Sequence, residues 1–284
     1  MAFPITYGNF RQYRPRTATH PWSAGSPQRA TVTRREDVDG RPHDRIHGRA
    51  SRLRRLGVPV TSAPQWSVPD PRHAAVVCVE CQNGVLGTGS ILPALAADAQ
   101  PALAAIGQLL ATARSAGALV VHTPFAGSLG GSPGTTPLMR ATARATADWA
   151  PGHPATETLT TLLDPADLVV PRHQGVSPTW GTELLPILRA RDIHTLIFAG
   201  VSLNVAIPLA VGQAVHEGFH VVVPRDAVVG TPVEYGRLVL QNTIALLARV
   251  TDVAELAAAW HANEHQQSTT TADSVQPPRK VDQR

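Results

Sequence analysis

Hydrophobic and polar positions follow two different periods along the middle of the chain, from about residue 73 to residue 261. Residues 74–80 form a near-continuous apolar run, which is typical of a strand covered on both faces. Residues 101–116 instead place apolar side chains at helical spacing, and the Gly117 that follows suits a helix C-terminal cap. Strand and helix patterns keep alternating after this point, which predicts βαβ units and a parallel sheet.

The remaining predicted elements continue this alternation. We predict further strands at 118–122, 168–170, 196–200, 219–223 and 249–251, and helices at 137–148, 154–163, 181–190, 205–217 and 253–260. Residues 231–234, Thr-Pro-Val-Glu, indicate a capping box that opens another helix, to about residue 247. A loop rich in Gly, Ser, Thr and Pro at 124–136 is a candidate lid. The predicted fold class is therefore α/β, a doubly wound (Rossmann-like), mostly parallel sheet of five to six strands with helices on both faces.

Charge divides the chain into three parts. Residues 1–72 hold 13 arginines and 5 acidic residues, whereas residues 73–261 hold 9 arginines and 13 acidic residues. The first segment lacks a sustained period, so we interpret it as a disordered basic extension, and residues 262–284 as a disordered tail. A basic arm can bind nucleic acid, but a solvated tail, a targeting segment or an upstream extension explains it better. We expect one α/β domain at 73–261 and no nucleic-acid partner.

The two cysteines and the lack of long apolar runs limit the protein class further. Cys78 and Cys81 lie three apart within a predicted buried strand, where a structural role is a better interpretation than redox or zinc chemistry. The chain shows no uncharged apolar run of 18 residues, and its first residues do not resemble a secretory signal. We therefore expect a cytoplasmic protein that does not span a membrane.

Four short motifs at the carboxyl ends of predicted strands carry a resemblance to a known family. They are Glu80-Cys81-Gln82-Asn83, the segment Arg172–Leu184, Gly200-Val201-Ser202-Leu203-Asn204-Val205-Ala206, and Pro224-Arg225-Asp226-Ala227. In order and spacing they resemble segments of the isochorismatase-like hydrolases, which read Asp-x-Gln-Asn, a lysine-containing turn, Gly-Val-x-x-Asn-x-Cys and Asp-Ala. The family includes isochorismatases, nicotinamidases and N-carbamoylsarcosine amidases. The resemblance spans essentially all of residues 73–261 and implies an Asp–Lys–Cys catalytic triad.

This chain departs from the family's triad at all three positions. Glu80 stands at the aspartate position and keeps a carboxylate, one methylene longer. The lysine position falls on Arg172 or His173, depending on a one-residue choice of alignment, and the chain's only lysine is Lys280. Ala206 stands where the nucleophilic cysteine would be. A thiolate mechanism at that position is therefore excluded.

The strand-end residues still support acid–base chemistry. We predict that Glu80 acts as general acid or base, with Arg172 or His173 binding an anionic substrate. The backbone N–H groups that open the helix at 205–217 would favour a carboxylate or an oxyanion. The predicted substrate contacts are Gln82, His122, Ser177, Trp180, Asn204 and Ala206.

Two functions remain open at this stage. One is an isochorismatase-like hydrolase that acts on a small polar, carboxylate- or amide-bearing metabolite without a cysteine nucleophile. The alternative is a catalytically inactive relative that binds a small ligand or assembles with partners, in which Glu80 merely pairs with Arg172 and braces the sheet. Nicotinamidases place Asp-x-His after the second strand, where this chain has only His122, so we expect no metal and no cofactor. The resemblance also suggests a homo-oligomer.

Overall fold

A computed structural model describes residues 69–130 and 134–262 of the chain. Seven strands form one sheet, and every pairing between them is parallel. They are β1 (Ala74–Val79), β2 (Leu119–Thr123), β3 (Leu168–Val169), β4 (Thr195–Val201), β5 (His220–Pro224), β6 (Val228–Val229) and β7 (Arg249–Thr251). The predicted doubly wound α/β fold is confirmed, although β6 adds a strand to the predicted five or six. It forms because β5 pairs with only the first three residues of β4, and β6 then pairs with Gly200 and Val201.

Helices connect the strands and cover both faces of the sheet. They are α1 (Asn83–Leu86), α2 (Pro93–Ala99), α3 (Leu103–Ser115), α4 (Pro137–Ala145), α5 (Leu184–Ala190), α6 (Ala206–His216), α7 (Val233–Val239), α8 (Ala245–Leu247) and α9 (residues 253–262). A π-helical segment, Leu240–Ile244, joins α7 to α8. Short 3₁₀ turns at Pro71–His73, Gln100–Ala102 and Pro154–Thr156 complete the regular structure of the described residues.

Two predicted local structures were wrong. In both cases, backbone or side-chain groups of the segment form hydrogen bonds to residues distant in the chain. The helix predicted at 154–163 is a single 3₁₀ turn, Pro154–Thr156. The residues after it bond to the chain that follows β1, since the Leu159 N–H donates to the carbonyl oxygen of Cys81. The predicted capping box is absent because the Thr231 hydroxyl donates to the Asp98 carboxylate, and α7 begins after Pro232.

The order of the strands determines where a ligand site would form. The order is β3-β2-β1-β4-β5-β7, with β6 beside β4. The chain therefore moves outward from β1 to β3 and then returns to the other side of β1 to form β4. Such a reversal opens a crevice at the carboxyl ends of the two central strands. In this fold the point of reversal lies between the ends of β1 and β4.

The central strand β1 is buried on both faces, which explains its continuous apolar sequence. Ala74, Val76 and Cys78 contribute to one core layer, where side chains of α2, α3 and α9 pack. Ala75, Val77 and Val79 alternate with them and contribute to the other layer, against α5 and α6. This packing on both sides holds the residue that follows β1, Glu80, at the centre of the carboxyl edge.

Two further observations concern the predicted ends of the domain and the membrane. Of the predicted extension at 1–72, only residues 69–72 are described, and there the Trp260 indole N–H donates to the Pro69 carbonyl oxygen. The predicted tail lies outside the described residues, apart from residue 262. One described helical stretch, Pro93–Ser115, is long and apolar enough by length and composition to cross a membrane. It comprises α2, a 3₁₀ turn and α3, and it packs Ile106, Leu109 and Leu110 into the core.

Candidate active site

The structure brings the strand-end segments together along the carboxyl edge of the sheet. The Glu80 N–H donates to the Thr123 carbonyl oxygen, which links the ends of β1 and β2 at 3.4 Å. The Ala126 N–H donates to the carbonyl oxygen of Arg172 at 2.9 Å, which links the segments after β2 and β3. Gly200 packs so closely on β1 that an added Cβ would lie 2.2 Å from the carbonyl oxygen of Val79. Its φ of +99° also favours glycine.

Glu80 leaves the strand in an unusual backbone conformation. Its φ is 54°, in the left-handed region that side chains other than asparagine and aspartate seldom adopt. The turn is closed by the Gln82 N–H, which donates to the Glu80 carbonyl oxygen at 2.9 Å. Such backbone strain costs about 1–3 kcal/mol and is concentrated at functional sites. The conformation therefore marks Glu80 as a residue whose side-chain position matters.

The Glu80 carboxylate forms an ion pair with Arg172. The Arg172 Nη2 donates to Glu80 Oε1. The Arg172 side chain is only 7% exposed, and the Glu80 side chain only 12%. A second contact holds the arginine, because its Nη1 donates to the Gly175 carbonyl oxygen at 2.6 Å. Its guanidinium carbon also lies 4.7 Å from the centroid of the Phe125 ring. Both members of the pair are thus fixed in position before any ligand binds.

His173, the other candidate for the family's lysine position, points elsewhere. Its Nδ1 lies 2.9 Å from the carbonyl oxygen of Gly127, in the loop after β2. The structure therefore pairs Glu80 with Arg172 rather than with His173. Arginine cannot accept a proton at any ordinary pH, so the acid–base capacity of this pair resides in Glu80 alone.

Gln82 braces the site from within the core. It is fully buried, and its Nε2 donates to the carbonyl oxygens of Phe125 and Ala155, both at 2.9 Å. Its Oε1 accepts the Phe125 N–H at 2.6 Å. Both amide donors and the acceptor are thus used within the protein. The geometry places Gln82 as a link between the turn after β1 and the loop after β2, behind the Glu80–Arg172 pair.

His122 belongs to a buried network of its own. Its Nε2 lies 2.9 Å from Asp167 Oδ2, and both side chains are almost fully buried. Arg114 also donates to Asp167, through Nε at 3.0 Å and Nη2 at 2.6 Å. Burial lowers the pKa of His122, but hydrogen bonding to Cys78 and Asp167 outweighs it, so the net pKa is raised. The polar partners of His122 are therefore groups of this network, and neither Glu80 nor Arg172 is among them.

Asp167 and Arg114 were not among the predicted site residues. A possible signal was the carboxylate directly before the third predicted strand, since an isolated acidic residue entering a buried strand needs a partner. However, His122, one partner of Asp167, lies on β2, 45 positions away in the chain.

The two cysteines lie beside His122 and are free thiols. Hydrogen bonding to Cys81 lowers the pKa of Cys78 to about 6, against the opposing effect of burial. The same hydrogen bond, together with burial, raises the pKa of Cys81. Both side chains are almost completely excluded from solvent. Neither thiol is therefore open to a ligand that enters from solvent.

The remaining predicted contacts occupy different environments. Ser177 is buried, with its Oγ 2.8 Å from the Thr179 Oγ1, whereas Trp180 is 62% exposed. Asn204 bonds twice to the Thr231 backbone, accepting its N–H at 2.9 Å and donating to its carbonyl oxygen at 2.5 Å. This pair of bonds ties the segment after β4 to the segment that leads into α7.

Ala206 is the first residue of α6, as the predicted helix start required. Its methyl group is 4% exposed and packs in the apolar layer that includes Leu203 and Ile207. The Ile207 N–H is already bonded to the Ser202 carbonyl oxygen at 3.0 Å. The helix N-terminus therefore faces the carboxyl edge with a small apolar side chain where the family carries a thiol.

Comparison with known proteins identifies the family. The family model described as "Isochorismatase domain" matches residues 74–255, which is nearly the whole described α/β fold. The chain belongs to the isochorismatase family. Among curated relatives, it is 28% identical over 240 residues to ureidoacrylate amidohydrolase RutB of Methylobacterium radiotolerans, covering 75% of this chain and 90% of that protein. It is also 28% identical over 163 residues to maleamate amidohydrolase of Pseudomonas putida, covering 55% and 72% respectively.

Solved structures of other proteins share the fold. A cysteine hydrolase from Pseudomonas syringae pv. phaseolicola matches 71% of this chain and 99% of its own, with 25% identity and a TM-score of 0.60. N-carbamoylsarcosine amidase from Thermoplasma acidophilum matches 63% of this chain and 96% of its own, with 21% identity and a TM-score of 0.51. The expected relation to the isochorismatase-like hydrolases is therefore confirmed. This member has Glu80, Arg172 or His173, and Ala206 where the family resemblance implies aspartate, lysine and cysteine.

Proposed function

We propose that this protein hydrolyses a small carboxylic acid that bears an amide or ureide group, using water activated by Glu80 instead of a cysteine thiolate. The observation that carries the proposal is the Glu80 carboxylate itself. Glu80 adopts a left-handed backbone conformation, and its carboxylate pairs with Arg172. The residue lies at the end of the central strand, at the point of reversal where folds of this topology bind ligands. The Glu80 carboxylate is the acid–base group of this pair.

The proposed reaction needs one acid–base group and one cation. Glu80 accepts a proton from a water molecule as the water oxygen adds to the scissile carbonyl carbon. The Ala206 N–H, at the N-terminus of α6, stabilises the resulting oxyanion, while Arg172 binds the substrate's carboxylate. Glu80 then returns the proton to the departing nitrogen as the C–N bond breaks. An amide substrate yields a carboxylic acid and ammonia, whereas a ureide yields a carbamate and the amine whose nitrogen departs.

The comparisons support this class of substrate. The two curated relatives are named for ureidoacrylate and maleamate, which are both small acids carrying a ureide or an amide. Arg172 suits such an acid, because its planar guanidinium binds carboxylates with two parallel hydrogen bonds. The relatives' names and the cation at this site together support the proposed substrate class. The cytoplasmic location and the homo-oligomer stay predictions of the sequence.

A specific observation favours a second candidate, a non-catalytic member that binds such an acid without converting it. Glu80 Oε1 is already bonded to Arg172, both side chains are nearly buried, and Ala206 packs in an apolar layer. An ion pair of this kind can brace a fold without taking part in chemistry. The two candidates differ in whether removing the carboxylate charge affects turnover or only stability.

The test is hydrolysis by the purified full chain of a panel containing maleamate, ureidoacrylate and N-carbamoyl amino acids, with ammonia release as the readout. We expect Glu80→Gln to lower kcat/KM by roughly 10²–10⁴-fold on the best substrate. Glu234→Gln is the matched control, because Glu234 also pairs with an arginine, Arg237, but in an exposed position. Urea denaturation of each variant shows whether any loss of activity reflects unfolding.

Two results would overturn the hydrolase proposal. One is a Glu80→Gln variant that retains the full kcat/KM on a substrate of the parent. The other is the absence of turnover across the panel by the folded parent protein. If calorimetry then shows that a panel acid is still bound, the non-catalytic candidate is the correct one.

A further inference from the structure

A second cluster of chemically competent side chains lies at the opposite edge of the sheet, where the strands begin. His73 directly precedes β1, and His194 directly precedes β4. The two strands pair in parallel register, with Ala74 beside Thr195, so the two histidines are neighbours. The His194 N–H donates to the His73 carbonyl oxygen at 2.9 Å and extends the ladder by one residue. Register between the two central strands thus fixes both imidazoles side by side.

A carboxylate faces both rings. Asp192, in the turn before β4, has one oxygen, Oδ2, 3.2 Å from His73 Nδ1 and the other, Oδ1, 3.2 Å from His194 Nε2. His73 Nδ1 also lies 2.9 Å from the Asp192 carbonyl oxygen, a contact that a bound cation would replace. The two imidazole rings are stacked, with centroids 5.4 Å apart and planes 27° from parallel. One ligand atom from each of the three residues lies within 4.8 Å of the others. All three side chains are at least partly exposed to solvent, so a cation can reach them.

We propose that His73, Asp192 and His194 form a binding site for a divalent transition-metal cation, with zinc as its representative. Two imidazole nitrogens and one carboxylate oxygen are a ligand set typical of zinc, with metal–ligand distances of about 2.0–2.2 Å. Small side-chain rotations bring the three atoms to that distance from one centre, and water completes the coordination. Magnesium and calcium prefer sites built only from oxygen ligands, so the site discriminates against them.

The charges around the cluster allow this assignment. Arg72, next to His73, is neutralised by Asp70, to which its Nη2 donates at 2.8 Å. Arg191, next to Asp192, is exposed, so solvent screens its repulsion of a bound cation. The sequence alone predicts no metal. The signal it lacked was the strand register, because His73 and Asp192 are 119 positions apart in the chain.

The site would act on stability and not on the proposed hydrolysis. A bound cation would join the start of β1 to the turn before β4, and thus the beginnings of the two central strands. Glu80 lies at the other end of β1, so no ligand of the cation belongs to the candidate active site. The inference is therefore independent of the proposed function.

The experiment is a calorimetric titration of zinc chloride into the untagged, metal-free full chain, with magnesium chloride as the comparison. The chain has 12 histidines, so variants rather than stoichiometry alone identify the site. His194→Gln removes one ligand, and Asp192→Asn removes the charge while tolerating the φ of 59° at that position. His216→Gln, an exposed histidine on α6, is the matched control.

We expect zinc, and not magnesium, to bind the parent and to raise its melting temperature. Each ligand variant should lose at least about tenfold in zinc affinity, as changes at metal sites commonly do, while His216→Gln should titrate like the parent. The proposal is overturned if the parent binds no zinc at millimolar concentration. It is equally overturned if His194→Gln and Asp192→Asn bind zinc as tightly as the parent does.

Discussion

The buried amide of Gln82 provides a sharp test of how the candidate site is held in place. Substituting methionine keeps the length and approximate volume of the side chain but removes every polar atom. The change deletes three hydrogen bonds of 2.6–2.9 Å and leaves the Phe125 N–H and the carbonyl oxygens of Phe125 and Ala155 without this partner. The substitution thus isolates the polar contribution from the packing contribution.

The magnitude follows from the number of groups left unsatisfied. A buried polar group without a partner costs about 1–3 kcal/mol. Three such groups therefore predict that Gln82→Met lowers the free energy of unfolding by about 3–9 kcal/mol. That is a large fraction of the roughly 5–15 kcal/mol by which typical domains are stable. The loop after β2, which carries Phe125 beneath the Arg172 guanidinium, should loosen as well.

The assay is urea denaturation followed by tryptophan fluorescence and far-ultraviolet circular dichroism. Gln108→Met, on the exposed side of α3, is the control and should remain within about 0.5 kcal/mol of the parent. A Gln82→Met variant that unfolds within about 1 kcal/mol of the parent, at an unchanged denaturant slope, would refute the reasoning. The three bonds would then contribute no more than an exposed amide does.

Two further predictions concern stability. Gly84→Ala should lower the free energy of unfolding by about 1–3 kcal/mol, because the new Cβ would lie 2.4 Å from two Trp149 ring atoms; equal melting temperatures would contradict this. Asp167→Asn should cost about 3 kcal/mol at neutral pH, because it leaves Arg114 and His122 without their carboxylate, and thermal melts measure the loss. Burial raises the pKa of Asp167, but hydrogen bonds from Arg114, the Asp164 N–H and His122 outweigh it, so the net pKa lies below 3.8. Its stabilisation is therefore present above about pH 4 and lost as the pH falls through the lowered value, and the parent should show a steeper acid loss than the variant.

The same chain also shows which features local sequence can and cannot reveal. The apolar run at 74–79 and the helical spacing at 103–115 were predicted closely, because periodicity is a property of neighbouring residues. The segment 154–163 has a plausible helical pattern, yet the Leu159 N–H bonds to the Cys81 carbonyl oxygen, which no local window contains. The boundaries of elements thus depended on partners distant in the chain.

The sequence by itself determined six of the seven strands and most of the longer helices, the carboxylate at the end of β1, and the absence of cysteine and lysine from the expected triad positions. These are matters of residue identity and local period, so they need no coordinates. Only the tertiary structure decided that Arg172 rather than His173 meets Glu80, and that His122 turns to Asp167. Both outcomes depend on the register and twist of parallel strands joined by long crossovers, which bring side chains together across 45 to 92 positions of chain.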